Sequence, residues 1–119
     1  MSPGPASTDV EATIRAAYDA FNRRDLDAAV ELMHPDVDWP NAWEGGRLRG
    51  HDAVRAYWRR QFAAIDGHVE PTHIEIDGDT VTVTVHQTVR DLDGNVEFDG
   101  TVTHTYTVRD GAIVRMDVS

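Results

Sequence analysis

The C-terminal half of the chain, residues 68–118, constrains the fold most, because long stretches of it alternate between apolar and polar residues. The alternation is clearest at residues 81–85 and 102–108, where threonines separate the larger side chains. Segments rich in Asp and Gly interrupt the pattern at 77–79, 91–95 and 110–111, and they are typical of tight turns. The pattern predicts four antiparallel strands with one apolar face and one threonine face.

Two segments near the N-terminus have apolar residues at helical spacing. Residues 8–11 have the form of a capping box and predict a first helix that starts at Thr8 and ends near residue 24. Asp25 is the expected N-cap of a short second helix, whose buried side includes Met33. His34-Pro35 should end that helix, because proline disfavours a helical residue before it.

The middle of the chain predicts a short strand, an irregular loop and a third helix. Residues 37–41 alternate as a strand, which Pro40 restricts to an edge or a bulge. The loop covers residues 42–50, and the third helix covers about 51–65, where Asp66-Gly67 stops it. The predicted fold is therefore α+β, with three helices packed on one face of a curved antiparallel sheet. Such packing leaves a conical space at one end, which is a natural place for a ligand.

Composition narrows the class of protein further. The chain has 119 residues, which suits one domain at residues 8–119, preceded by a disordered lead-in at residues 1–7. The formal net charge of −10 and the lack of a basic stripe argue against binding to nucleic acid. No apolar run approaches the length of a membrane span, so no membrane partner is expected.

Cysteine and histidine usage speaks against a metal site. The chain has no cysteine, which fits a cytoplasmic location and excludes disulfides and thiolate ligands. Its six histidines form neither a His-x-His pair nor a His-Glu-x-x-His run. We therefore expect no bound metal and no cofactor.

Four stretches of the chain, at residues 16–27, 34–37, 50–58 and 109–116, resemble the NTF2-like superfamily and, within it, the SnoaL-like group. The resemblance covers nearly the whole chain from Thr8 on. It implies a cone-shaped α+β barrel, a hydrophobic pocket at the open end, and a homodimer formed through the sheet. The superfamily includes isomerases, polyketide cyclases, epoxide hydrolases and binding domains without catalysis, so the fold alone does not give the activity.

The resemblance allows the positions of this chain to be compared, residue by residue, with the catalytic residues of two activities in the superfamily. The ketosteroid isomerase base falls on Asn41, its tyrosine on Ala17 beside Tyr18, and its protonated carboxyl donor near His104. Only an asparagine, Asn41, matches the water-binding set of limonene-type epoxide hydrolases, and residues 86–88 replace their Arg and Asp. Neither activity is expected in its usual form.

His104 is the strongest catalytic candidate, because it lies on the apolar face of its strand between Val102 and Tyr106. An imidazole there should titrate near physiological pH and could exchange a proton with a ligand oxygen. The alternative is a core histidine that is satisfied by a backbone carbonyl or by Tyr106. Asn41 is the second candidate, as a group that orients a carbonyl, a hydroxyl or a water, unless it is only a turn residue after Pro40.

A second set of residues is predicted to contact the ligand, mostly as an aromatic wall for a flat apolar molecule. For the three aromatic residues on helices the alternative is plain core packing, and a lid over the pocket is expected for the tryptophan in the loop. Alternation points Gln87 inward and His86 outward unless a bulge exchanges them, and it makes Phe98 core or pocket floor. The set is Tyr18, Trp39, Trp43, Tyr57, Trp58, His86, Gln87, Phe98 and Tyr106.

Two functions follow from these residues. The first is a cofactor-independent isomerase, cyclase or hydratase that acts on a small, mostly apolar, oxygen-bearing molecule through His104 and Asn41. The second is a domain that binds such a molecule without transforming it. In either case the threonine face, which carries few charges, predicts a homodimer interface through the sheet.

Overall fold

The alternating C-terminal half forms four consecutive antiparallel strands, as predicted from the sequence. The computed structural model describes residues 4–41 and 45–119. The nine elements follow one another along the chain as α1 (Gly4–Asn22), α2 (Leu26–Glu31), β1 (Met33–Pro40), β2 (Arg47–Arg49), α3 (His51–Ala64), β3 (Ile65–Asp77), β4 (Thr80–Asp91), β5 (Val96–Arg109) and β6 (Ala112–Val118).

The strands form one six-stranded sheet in the order β2-β1-β6-β5-β4-β3. All neighbours are antiparallel except β1 and β6, which run parallel. β2 and β3 are the two edges and do not pair with each other, so the curved sheet of the cone-shaped barrel stays open. β1 lies inside the sheet and not at an edge, and Pro40 pairs in register with Arg47. The pairing of β1 with β6 has a register shift, which lies between Met33 and Asp38.

The turns between the C-terminal strands have the predicted chemistry. Asp110 and Gly111 both have positive φ angles, of 52° and 79°, and they connect Arg109 to its partner Ala112. Two successive residues in this conformation give the tight hairpin turn whose twist matches that of the strands.

The first two helices differ from the prediction at their ends. α1 begins at Gly4, four residues before the predicted start at Thr8; Pro5 is tolerated there because first-turn N–H groups have no intrahelical partner. Asp25 caps α2 as predicted, and its carboxylate accepts from the Ala28 N–H at 3.2 Å. α2 ends at Glu31, and Met33 begins β1 instead of belonging to the helix.

Two boundaries around α3 were also predicted incorrectly. The predicted loop contains β2, a three-residue strand that pairs with residues 38–40 of β1. α3 ends at Ala64 and β3 starts at the next residue, so Asp66-Gly67 lies in a strand and does not stop the helix. Gly67 is buried there, opposite Val89.

The core lies between the helices and the inner face of the sheet. Three valines of β4, at positions 81, 83 and 85, are fully buried and face Ile14 of α1, Val54 of α3 and the strand residues Val37 and Ile113 across one cluster. Burial of each such side chain stabilises the fold by roughly 1.5–3 kcal/mol. Among the residues described, no helix is both long and apolar enough to cross a membrane.

Candidate functional site

A cavity of about 140 Å³ lies between helices α1 and α3 and the inner face of the sheet. All three tyrosines of the chain line it, together with Trp39 and Trp58. These five residues come from four elements: α1 supplies Tyr18, β1 supplies Trp39, α3 supplies Tyr57 and Trp58, and β5 supplies Tyr106. The cavity therefore forms only when both helices and the sheet are in place.

Three buried polar side chains form a chain of hydrogen bonds at the wall of this cavity. The Tyr106 and Tyr18 hydroxyls are hydrogen-bonded at 2.8 Å, and the Tyr18 hydroxyl lies 2.8 Å from Nδ1 of His104. The exposed fractions of Tyr106, Tyr18 and His104 are only 3%, 5% and 8%. We call this set the Tyr-Tyr-His chain. It exists because His104 and Tyr106 are two residues apart on β5 and so share the inner face.

Burial keeps every member of the Tyr-Tyr-His chain uncharged. It lowers the pKa of His104 to about 4, because the charged imidazolium would lose its hydration. Burial likewise raises the pKa of both Tyr18 and Tyr106 well above the usual value for a phenol. The prediction that His104 titrates near physiological pH is therefore wrong, and at neutral pH the cavity contains a neutral imidazole.

The aromatic wall predicted from the sequence surrounds this polar chain. Trp39 and Trp58 meet edge to face, with ring centroids 5.5 Å apart, and Trp39 lies 6.3 Å from Tyr106. Phe21 of α1 extends the wall through an edge-to-face contact with Trp58 at 5.4 Å. Such rings offer flat apolar surfaces that suit a planar ligand.

Two glutamines add polar groups to the cavity lining. Gln87 lines it and His86 does not, so the strand keeps its alternation at this point. Gln61 of α3 also lines it and donates through Nε2 to the Tyr57 hydroxyl at 3.0 Å. The sequence analysis missed Gln61, although its position four residues after Tyr57 places both on one helix face.

Three of the predicted site residues lie outside the cavity. His86 is exposed on the outer face of the sheet and bonds to Asp99, because the alternation of β4 turns it away from the helices. Phe98 is 44% exposed and is neither core nor pocket floor, because the helices do not cover that end of β5. Asn41 is buried at the end of β1 but does not line the cavity, so its position does not support a role in orienting a ligand.

Trp43, the predicted lid, lies outside the described residues. Its role therefore stays a prediction from the sequence.

No carboxylate lines the cavity in the part of the chain that the structure describes. The nearest candidate by sequence, Asp38, lies on the outer face of β1 and binds Arg47 at 2.5 Å and Arg115 at 2.8 Å. Within residues 4–41 and 45–119, no group of acidic and histidine side chains could hold a metal ion. Acid–base chemistry in this cavity would thus depend on His104 and the tyrosines.

An α+β domain with an apolar, aromatic cavity between helices and a curved sheet belongs to a class that binds small molecules. The family model for the SnoaL-like domain matches residues 14–116, and the chain belongs to this family. A search of curated proteins found no match to the chain.

Several solved structures have the same fold, and three of them are described here by their names. TerC, co-crystallised with polyporic acid, is 26% identical with a TM-score of 0.83, and the match covers 93% of this chain and 90% of TerC. A protein from Sinorhizobium meliloti that bears the name of a polyketide cyclase is 27% identical with a TM-score of 0.79. The match covers 91% of this chain and 94% of that protein. An NTF2-like protein of unknown function from Burkholderia pseudomallei is 25% identical with a TM-score of 0.83, over 93% and 89%.

Proposed function

We propose that the protein binds a flat, mostly apolar organic molecule through an oxygen atom that contacts His104. The observation that carries this proposal is the state of the imidazole: Nδ1 is held by Tyr18, and Nε2 has no hydrogen-bond partner among the described residues. Because His104 lines the cavity, Nε2 is a polar atom available to a ligand. The other residues that line the cavity are aromatic, aliphatic, or polar without a charge.

The size of the cavity suits one ring. A cavity of about 150 Å³ engineered in another protein binds benzene, and the cavity here measures about 140 Å³. A ligand with more than one ring would leave part of itself outside or widen the site. The co-crystal of TerC with polyporic acid and the cyclase name of the Sinorhizobium protein support an organic, oxygen-bearing ligand.

The same geometry supports cofactor-independent catalysis as an isomerase, cyclase or hydratase. A neutral imidazole aimed at a carbonyl oxygen would stabilise negative charge that develops there, and a preorganised donor in a dry site is effective at this. Of the two predicted catalytic residues, His104 lines the cavity and Asn41 does not, which supports His104 for this role. The lack of a carboxylate in the described lining favours the second candidate, a domain that binds the molecule without transforming it.

Native mass spectrometry of the purified protein, followed by spectra under denaturing conditions, tests the proposal. We expect extra mass that is released on denaturation and identifies the ligand. His104→Gln should lower the affinity for that ligand by roughly 3- to 10-fold, which is the usual range for one hydrogen bond. His86→Gln, on the other face of the neighbouring strand, should leave it unchanged. Equal affinities in wild type and His104→Gln would rule out the proposed contact.

The same samples separate catalysis from binding. A ligand recovered unchanged after incubation with fresh protein supports a binding domain. Its conversion by wild type, and a slower conversion by His104→Gln, supports the enzyme.

We further propose that two copies associate through the outer face of the sheet. Threonines pair across β4 and β5 on this face, as Thr82 with Thr105 and Thr84 with Thr103, and they are partly shielded even in the single chain. Thr105→Lys would place two like charges near the two-fold axis, so we expect light scattering at micromolar concentration to show a monomer for the variant and a dimer for wild type. Ala12→Lys on the exposed side of α1 is the control and should remain dimeric. A monomeric wild type would refute the interface.

A further inference from the structure

We propose that Tyr18 and Tyr106 are positioning residues that fix which ring nitrogen of His104 carries the hydrogen, so that the cavity is offered an Nε2–H donor. The inference deepens the proposed function and rests on it in one respect, namely that a ligand lies against His104. It adds the class of the recognised group: a hydrogen-bond acceptor, such as a carbonyl oxygen. It also gives the two tyrosines a role beyond packing.

The argument starts from the number of hydrogens in the Tyr-Tyr-His chain. Each phenol has one hydrogen, and a neutral imidazole has one on either Nδ1 or Nε2. The two hydroxyl oxygens lie 2.8 Å apart, and either phenol can donate to the other. With Tyr106 as the donor, the Tyr18 hydrogen has one acceptor among the described residues, which is Nδ1 of His104 at 2.8 Å. In that order Nδ1 is bare, and the imidazole hydrogen lies on Nε2.

The reversed order of donors is unfavourable. If Nδ1 donated to Tyr18 and Tyr18 to Tyr106, the Tyr106 hydrogen would be left over at the end of the chain. Tyr106 is only 3% exposed, and the Tyr18 hydroxyl is its only hydrogen-bond partner within the described part of the chain. A buried donor without an acceptor is costly, and in the first order the one remaining donor is Nε2–H on His104, the less deeply buried of the two residues at 8% exposed.

The packing of the three rings holds this order in place. The rings of Tyr18 and His104 are stacked at 5.9 Å and 10°, which keeps the Tyr18 oxygen beside Nδ1. Tyr106 meets both rings edge to face, at 6.2 Å in each case. Burial lowers the pKa of His104, so the imidazole has a single hydrogen to place at neutral pH.

The direct test is the tautomer of His104 in the ligand-free protein. Two-dimensional ¹H–¹⁵N spectra of protein with labelled histidine report which ring nitrogen is protonated, and the His104 signals are those that His104→Gln removes. We expect Nε2–H in wild type. Tyr18→Phe should shift the population towards Nδ1–H, and Tyr106→Phe should do so less, because Tyr18 can then accept as well as donate. Thr72→Val removes an exposed hydroxyl that does not line the cavity and should leave the His104 tautomer unchanged.

Two results would overturn the inference. Nδ1–H in the wild type would reverse the order of donors. Wild-type spectra in a folded Tyr106→Phe protein would show that Tyr106 has no positioning role. Because no ligand is present, either result leaves the proposed function standing.

Acetophenone has a carbonyl oxygen that ethylbenzene lacks. Comparing the binding of the two therefore tests whether the cavity recognises a hydrogen-bond acceptor. In wild type we expect acetophenone to bind roughly 3- to 10-fold more tightly, as one hydrogen bond allows, and Tyr18→Phe should reduce that ratio. Equal binding of the two probes to wild type would contradict acceptor recognition. If neither probe binds while the tautomer is as expected, the proposed function fails and the positioning role of the tyrosines stands.

Discussion

The two ends of β5 have the same sequence pattern but different surroundings. Towards its C-terminal end, His104, Tyr106 and Val108 lie on the inner face and are at most 8% exposed. Towards its start, Val96 and Phe98 have the same parity and are 53% and 44% exposed. The difference arises because the helices and β6 cover only one end: β6 pairs with β5 from His104 to Arg109.

This comparison shows that alternation predicts which face of the sheet a residue lies on, but not whether that residue is buried. At the covered end, polar groups are desolvated and must pair with one another, which produces the Tyr-Tyr-His chain and the neutral imidazole. At the uncovered end, water reaches the same face. There Phe98 rests against its own strand, over the glycine two residues away.

The largest effect is expected for Tyr106→Ala at the covered end. The change removes a buried ring and leaves the Tyr18 hydroxyl without its donor, so we expect the free energy of unfolding to fall by about 3–5 kcal/mol. Urea denaturation of the wild type and the variant measures it. A loss below about 1 kcal/mol would mean that this end of β5 is no better packed than the other.

The pH dependence of stability is the next largest effect. The pKa of His104 is about 4 in the folded state, against 6.5 as its ordinary value. The unfolded state binds more protons between these values, so stability rises with pH across this window and is lost as pH falls through it, by about 3 kcal/mol. Denaturation at several pH values should show a smaller dependence in His104→Gln than in wild type. Phe98→Thr, which changes no titratable group, should retain the wild-type slope.

A smaller effect is expected for Gly100→Ala. A Cβ on Gly100 would lie 3.1 Å from the end of the Phe98 ring. Because Phe98 is exposed, its ring can swing into water, and the loss of glycine also restricts the unfolded chain. We expect the midpoint of thermal unfolding to change by no more than the equivalent of about 1 kcal/mol. A larger loss would show that the ring is held in place.

The smallest effect is expected for Phe98→Thr. A residue in contact with water and with little packing around it should contribute within about 0.5 kcal/mol. Chemical denaturation measures the difference. A loss approaching that of Tyr106→Ala would remove the contrast between the two ends of β5, and it would restore the prediction that Phe98 belongs to the core.

The elements that the sequence predicted well are those that local patterns define. The hairpins follow from Asp110-Gly111 and its counterparts, the start of α2 follows from Asp25, and alternation alone decides between His86 and Gln87. In each case the pattern involves residues within a few positions of one another. The same holds for the aromatic residues of the wall, since helical spacing was enough to put Tyr57 and Trp58 on the inner side.

The features that the sequence did not predict depend on contacts between distant residues. β2 has no pattern of its own, and Arg47 anchors it through ion pairs with Asp38 and Asp117, at 2.5 and 3.0 Å. The neutral state of His104 depends on its burial in the assembled fold, and its hydrogen-bond partner Tyr18 is 86 positions away in the sequence. Coverage by helices, long-range pairing and desolvation are properties of the assembled fold, and no local spacing encodes them.

The parallel pairing of β1 with β6 has a consequence for how the chain folds. The Ile113 N–H donates to the Leu32 carbonyl at 3.0 Å, so this contact closes a loop of most of the molecule. The hairpins from β3 to β6 join neighbours in sequence and can form early, whereas closure of so long a loop has a higher entropic cost and is slow. Met33 and Met116, which belong to these two strands, both line the cavity. We therefore expect the cavity to be completed late in folding, after the hairpins have formed.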